Sequence, residues 1–295
     1  MPLLSLDATF VARFAAPPSP TTVNSAVSAH TSIRSILGDT KYATVLQGSY
    51  KNDTALADMN DVDIVAVDRG LTSRTYSSRV ISGDGVPWVE IFARIERALQ
   101  TSHLYAGKWK REDKCIRVNA GMRVDVVPAV CVSDANNDPI VIYSFSQGRE
   151  KRNWPRGHYD GGTAKSGATS GTYKQTVRLF KRWARCWFYG TKVAPSYYIE
   201  CALHACPDAE FTGDLAGTFD NLGRRLATMS YASAKIPRIV GEGDLLTSEE
   251  WGMAEFQRFQ SQLTASLAHV RAARTTHDSS AARRSWITAF NGYTA

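Results

Sequence analysis

Residues 45–67 read VLQGSYKNDTALADMNDVDIVAV, and the organisation of the whole chain follows from them. Tyr42–Gln47 predicts a strand, Gly48-Ser49 a tight turn, and Asp61–Val67 a second strand after a short polar connection. Alternate side chains of a strand point to the same face. Asp61 and Asp63 therefore project together, with Val62, Ile64 and Ala66 on the opposite face. Two carboxylates on one face repel each other unless a cation sits between them. Hard oxygen donors at this spacing suit Mg²⁺, with Mn²⁺ as a substitute, because Mg²⁺ takes one or two carboxylates plus substrate phosphates. The Gly48-Ser49 turn supplies the other half: glycine lets the backbone approach a phosphate, and free N–H groups opening a helix attract anions. A phosphate cradle followed by a metal-binding carboxylate pair implies nucleotidyl transfer.

A third apolar strand, Met122-Arg-Val-Asp-Val-Val-Pro128, is interrupted by one acid, Asp125. Runs of valine and isoleucine want burial, so Asp61, Asp63 and Asp125 are poorly explained as solvated strand ends. Asp53, Asp58, Asp68 and Asp84 lie in turn-like surroundings and read as surface acids. Gly-Ser-Tyr, then Asp-Val-Asp, then a lone aspartate on a later strand resembles the DNA polymerase β-type nucleotidyltransferase superfamily. Farther along, TYKQTVRLFKRW (172–183) is similar to the helix after the catalytic core of cyclic GMP-AMP synthase, oligoadenylate synthase and the bacterial CD-NTases. The resemblance to bacterial CD-NTases spans roughly residues 40–290 and is most specific in WPRGHYDGGTAKSGATSGTYK (154–174).

That resemblance implies an α+β fold. A polymerase β-like nucleotidyltransferase core, a mixed sheet with flanking helices, would occupy residues 1–165 with the N-terminal helices. A helical lobe, 166–295, would close the nucleotide cleft. Asp61, Asp63 and Asp125 would be catalytic and hold two Mg²⁺ ions, and Gly48 and Ser49 would meet the nucleotide. In the family, a lysine before a pair ending in tryptophan contacts the triphosphate, and Lys181 in Phe180-Lys-Arg-Trp183 matches it. Ser196, in Pro195-Ser-Tyr-Tyr-Ile199, matches the family's triphosphate-binding serine. Proline in the first turn also leaves Ser196 where free N–H groups converge, a place suited to simple capping as well. The implied activity joins NTPs into a cyclic oligonucleotide messenger in anti-phage (CBASS-type) defence. A downstream cyclic-nucleotide effector follows from it, regulatory partner proteins are compatible with it, and no obligate DNA or RNA is expected. The alternative is a template-independent nucleotidyltransferase making linear oligonucleotides or modifying RNA or protein, although no appended RNA-recognition motif is visible. The full residue set argues against a non-catalytic nucleotide-binding module.

The 295 residues suffice for one large or two modest domains, and 43% hydrophobic with 21% charged residues excludes a disordered chain. A net charge of +7 suits a polyanionic substrate without separating nucleotides from nucleic acid. No apolar run reaches membrane-spanning length and no leader pattern opens the chain. Five cysteines without framework spacing fit reduced thiols, so a cytoplasmic location is expected. Cys201, His204 and Cys206 look like zinc ligands, but one helix carrying C-x₂-H-x-C lacks a second ligand pair, which favours core packing. The zinc-binding insertion of animal cyclic GMP-AMP synthase is not visible.

Helices are expected at 4–15 and 21–37, parted by Pro17-Pro18-Ser19-Pro20, with Thr21 or Thr22 capping the second. Gly70–Gly85 reads as a polar connection and Pro87–Leu99 as a helix with Val89, Ile91, Phe92, Ile95 and Leu99 apolar. Lys114–Val118 and Met122–Val127 pair as a hairpin around Asn119-Ala-Gly121. Val130–Ser133 and Pro139–Phe145 extend the sheet around an Asn136-Asn-Asp138 turn. Gln147–Gly171 reads as a glycine-rich basic loop whose Trp154, His158 and Tyr159 could stack on a base while Lys151, Arg152 and Arg156 meet phosphates. Thr172 opens a helix ended by Gly190, with Val177, Phe180, Ala184 and Trp187 on an apolar stripe. Lys174, Arg178, Lys181 and Arg185 form a basic stripe, of which Arg185 reads as solvated. Further helices are expected at Leu215–Met229, at Ser248–Ala273 with Thr247 or Ser248 as cap, and at Ala281–Phe290, with a turn at His277–Ser280.

Overall fold

The structure, a computed structural model, describes residues 6–72, 85–132 and 138–295. Asn136 and Asn137 of the expected Asn136-Asn-Asp138 turn and most of the Gly70–Gly85 connection lie outside the described residues, as do the first residues of the 4–15 helix. Contacts divide the chain into two units, Pro18–Tyr159 and Met1–Pro17 with Asp160–Ala295. The first helix, α1 (Ala8–Phe14), thus belongs with the helical unit and not with the sheet, where the sequence places it. Its buried Val11 and Phe14 explain this, because Phe14 packs edge-on to Trp286, Phe290 and Tyr293. No described helix is long and apolar enough to cross a membrane.

In the sheet unit, α2 (Pro20–Leu37) is capped by Ser19, whose hydroxyl accepts from the Thr22 N–H, in place of the expected threonines. Proline at the first helical position removes a donor that would be orphaned anyway. Next come β1 (Tyr42–Gln47), the single turn α3 (Gly48–Lys51), β2 (Asp61–Thr72) and α4 (Trp88–Gln100). The remaining strands are β3 (Trp109–Arg111), β4 (Ile116–Ala120), β5 (Met122–Cys131), β6 (Ile140–Ser144) and β7 (Arg149–Asn153). The sheet runs β1-β2-β5-β4-β3, with β6 pairing the far end of β5 and β7 pairing β6. β2 and β5 are parallel and the other named pairs antiparallel. β5 absorbs the separate strand expected from Val130. Its Pro128 is tolerated because it falls between the stretch paired with β4, up to Val126, and the stretch paired with β6, from Val130.

One face of the sheet, with Val62, Ile64, Val124 and Val126, packs on Ile33 and Leu37 of α2 and on Ile91, Phe92, Ile95 and Leu99 of α4. Val89, expected among the apolar residues of that helix, is exposed. Asp68 is no surface acid: it is buried and paired with Arg94 at 3.1 Å, while Asp53 and Asp58 are exposed as expected.

Gln147–Gly171 is not a loop. It forms β7 and a helix, α5 (Pro155–Ala168). Four glycines within Gly157–Gly167 weaken its intrinsic helicity, so tertiary contacts have to hold it. A Cβ at Gly161 would stand 2.6 Å from Ile239 Cγ2, so the glycine is what lets Ile239 pack so closely. Lys165, farther along α5, is anchored to Asp208. The helical unit continues with α6 (Thr172–Phe188), α7 (Ser196–His204), α8 (Leu215–Ala227), α9 (Met253–Thr275) and α10 (Ser279–Ala289). α9 starts five residues later than expected, with Gly252 as its cap. Before it, Trp251 is buried and its indole N–H donates to the Val193 carbonyl at 2.8 Å, which holds the preceding residues in a non-helical path. The basic stripe of α6 is largely interior: Arg178 is buried and donates to the Ala15 carbonyl, and Lys181 and Arg182 are buried with it.

Candidate active site

Register assembles the site. Gln47 opposes Asp63 across β1–β2, Asp63 opposes Asp125 across β2–β5, and Arg117 opposes Asp125 across β4–β5. Partners in register share a face. Gln47, Asp63, Asp125 and Arg117 therefore form one polar row over four strands, and Asp61 with Arg123 forms a second row beside it. Farther along β2 and β5 the same face carries Val65, Val67 and Ala129, buried with Ile140. The carboxylates occupy the polar end of an otherwise apolar face, and their alternation with Val62 and Ile64 is as the sequence predicts.

The turn before them is fixed by one contact. Gly48 has φ +70°, and a Cβ there would lie 2.3 Å from Oδ2 of Asp63. Only glycine brings this backbone so close to that carboxylate. α3 is a single turn, so the helix dipole expected to attract anions is slight here, and the turn's own N–H groups carry that capacity. Ser49 is half-buried and its hydroxyl makes no hydrogen bond among the described residues. Lys51 closes the turn with its ammonium 4.2 Å from the centre of the Tyr159 ring. The Tyr50 hydroxyl donates to the Met59 carbonyl at 2.8 Å, and burial, then the charge of Asp61, raises its pKa.

Two arginines that the sequence reading missed hold two of the three acids. Arg117 grips Asp125 with a fork, Nε to Oδ1 at 2.9 Å and Nη2 to Oδ2 at 3.0 Å, while Nη1 reaches Glu112 at 3.3 Å. The bond to Asp125 raises the arginine's pKa further above its ordinary value. Burial, with Asp125 adding to it, pushes the neighbouring Cys115 thiol up to about 12, so it stays protonated. Arg123 donates a single bond to Asp61. The signal for both was present: Arg123 alternates with Asp125, and the hairpin at Gly121 sets Arg117 opposite it. The Oε1 of Gln47 is buried and lacks a hydrogen-bond partner among the described residues, a third feature missed.

As they stand, the described acids do not converge into a three-ligand metal cluster. Their chemistry nevertheless fits a hard divalent cation: three carboxylates share one face of adjacent strands, and two of them already draw cationic side chains.

The helical unit carries the other two residues singled out. Ser196 opens α7, is exposed, and provides no capping bond, so the capping role is not seen. Lys181 is buried on α6 and ion-paired with Glu200 of α7. Ser196 and Glu200 are four residues apart and so lie on one face of that helix. Cys201 and Cys206 pack in the core of this unit, and burial raises their thiols to about 11 and about 12, as the core-packing reading expects.

Residues 160–267 match the cGAS/DncV-like nucleotidyltransferase C-terminal helical domain. Over 258 residues the chain is 30% identical to a cyclic UMP-AMP synthase of Rhodothermus marinus, covering 78% of this chain and 88% of that protein. The structure of Rhodothermus marinus CdnE c-UMP-AMP synthase with Apcpp and Upnpp superposes with a TM-score of 0.71 at 26% identity, over 88% of this chain and 97% of the other. The E. coli CdnC structure with ATP shares the fold, with a TM-score of 0.75 at 16% identity over 98% of this chain and 99% of the other.

Proposed function

The chain belongs to the CD-NTases, the bacterial relatives of cyclic GMP-AMP synthase, and we propose that it joins NTPs into a cyclic oligonucleotide with release of pyrophosphate. The observation that carries this reading is the register that sets Asp63 beside Asp125 while Gly48 rests against the Asp63 carboxylate. A relative at 30% identity that makes cyclic UMP-AMP, and a structural relative solved with two nucleotide analogues, support it.

Asp61, Asp63 and Asp125 would hold Mg²⁺, which when bound neutralises triphosphate charge and activates an acceptor hydroxyl. The chain's own residues do the positioning. The Gly48-Ser49 turn, packed against Asp63 on the side where a Gly48 side chain would stand, offers its N–H groups and the Ser49 hydroxyl to the phosphates. Asp125, its carboxylate pinned by the Arg117 fork, helps orient or deprotonate the acceptor hydroxyl. Lys181 and Ser196 serve the β- and γ-phosphates, one as a point charge and the other as a hydroxyl at a helix start. In-line displacement of pyrophosphate needs little else from a protein. One set of acids serves both bond-forming steps, so a linear intermediate turns over and cyclises. The product is a messenger read by an effector protein in anti-phage signalling.

The test supplies purified protein with labelled ATP, GTP, CTP and UTP, singly and together, with Mg²⁺ or Mn²⁺. Products are treated with phosphatase and weighed by mass spectrometry. A phosphatase-resistant species without terminal phosphates is expected. Ladders on added RNA, or label on a protein acceptor, would replace the cyclic product with the transferase reading. The Asp61→Asn, Asp63→Asn double variant is expected to stay folded and release no pyrophosphate, and undiminished turnover would defeat the assignment.

A further inference from the structure

The two arginines of the site are bound differently. Arg117 holds both oxygens of Asp125 and is braced by Glu112, with only about a third of its side chain exposed. Arg123 touches one oxygen of Asp61, with 47% of its own side chain and 33% of the aspartate exposed. An exposed, single-pronged ion pair is held weakly, whereas a braced fork is not. Both arginines sit in register opposite the acid they neutralise, so each faces the position a cation would take.

Resting on the reading of Asp61, Asp63 and Asp125 as metal ligands, we propose that Arg123 is a built-in competitor of the metal at Asp61, which makes metal loading depend on the nucleotide. The guanidiniums of Arg117 and Arg123 offset much of the charge of the acids they hold, which weakens the grip on Mg²⁺, an ion that sheds water reluctantly. A triphosphate brings its own oxygens and negative charge. Metal arriving with it gains ligands that bare metal lacks, and the single Arg123 contact yields. Arg117 stays, because a carboxylate gripped by a fork retains lone pairs on the outer side of each oxygen. Bare metal is thereby kept from occupying the acids in an arrangement unsuited to the donor.

Mn²⁺ alone is the probe, titrated against the full chain and followed by electron paramagnetic resonance of the free ion. The titration is repeated with a non-hydrolysable ATP analogue. Arg123→Gln is expected to bind Mn²⁺ about tenfold more tightly than wild type without nucleotide, the size of effect a nearby charge has on a carboxylate. With the analogue the two should agree within about twofold. Arg97→Gln, which removes an exposed arginine of α4 paired with Glu90, should leave Mn²⁺ affinity unchanged. Equal affinity in wild type and Arg123→Gln, or equal tightening in Arg97→Gln, overturns the proposal while leaving the ligand assignment intact. Asp63→Asn tests that assignment separately: if it binds Mn²⁺ as well as wild type, the acids are not the ligands and the proposal falls with them.

Discussion

Replacing Gly48 with alanine separates the close approach of the turn from its backbone conformation. The positive φ, +70°, costs an L-residue roughly 1–2 kcal/mol. The added Cβ would also stand 2.3 Å from Asp63 Oδ2, so the carboxylate must retreat by about 1 Å to reach ordinary van der Waals contact. A misplacement of that size at a reacting centre costs about a hundredfold in rate. Gly148 supplies the control: its φ is +59° and a Cβ there meets nothing within 4 Å, so Gly148→Ala carries the backbone cost without the collision. Urea unfolding gives the stability and pyrophosphate release gives the rate. Gly48→Ala is expected to lose more stability than Gly148→Ala and about two orders of magnitude in turnover, with Gly148→Ala within about twofold of wild type. If the two variants match in both measurements, the contact between the turn and Asp63 is not what glycine serves.

Two further outcomes follow from buried and half-buried charges. Lys181→Met takes the ammonium away from the buried Glu200 carboxylate and should cost about 3 kcal/mol in urea unfolding. Lys181→Met with Glu200→Met should restore most of that loss yet keep the raised KM for NTP, and its KM should exceed that of Arg185→Ala; recovery of both would make the lysine purely structural. His30 bonds Thr44 between α2 and β1, and burial lowers its pKa below the ordinary value of 6.5. The unfolded chain then binds the extra proton first, so stability falls as pH drops through about 6.5 and levels off below the depressed value. His30→Asn should flatten that part of the stability profile, and an unchanged slope would exclude His30 as its source.

What was legible in the sequence was what alternation encodes. Asp61 and Asp63 against Val62 and Ile64, and Asp125 between two valines, set the face that the three acids share, because period-two patterning is a local property. Arg117 and Arg123 were harder, since their role depends on register across strands that chain proximity does not announce. Gln147–Gly171 misled because its glycines argue against helix, and the compensating contacts come from Ile239 and Asp208, far along the chain. Lys181 is the converse: its spacing placed it on a basic stripe without showing the acid it meets, and Glu200 on the next helix takes it inside.

The placement of α1 bears on how the protein is made. Phe14 emerges early from the ribosome, and its partners Trp286 and Phe290 come more than 270 residues later. The sheet unit is one continuous stretch and can close while synthesis proceeds. The helical unit cannot, because its first helix must wait for its last. Until then the apolar face of α1 is exposed and open to a chaperone, and any cut that removes Trp286 and Phe290 undocks a segment at the opposite end of the polypeptide.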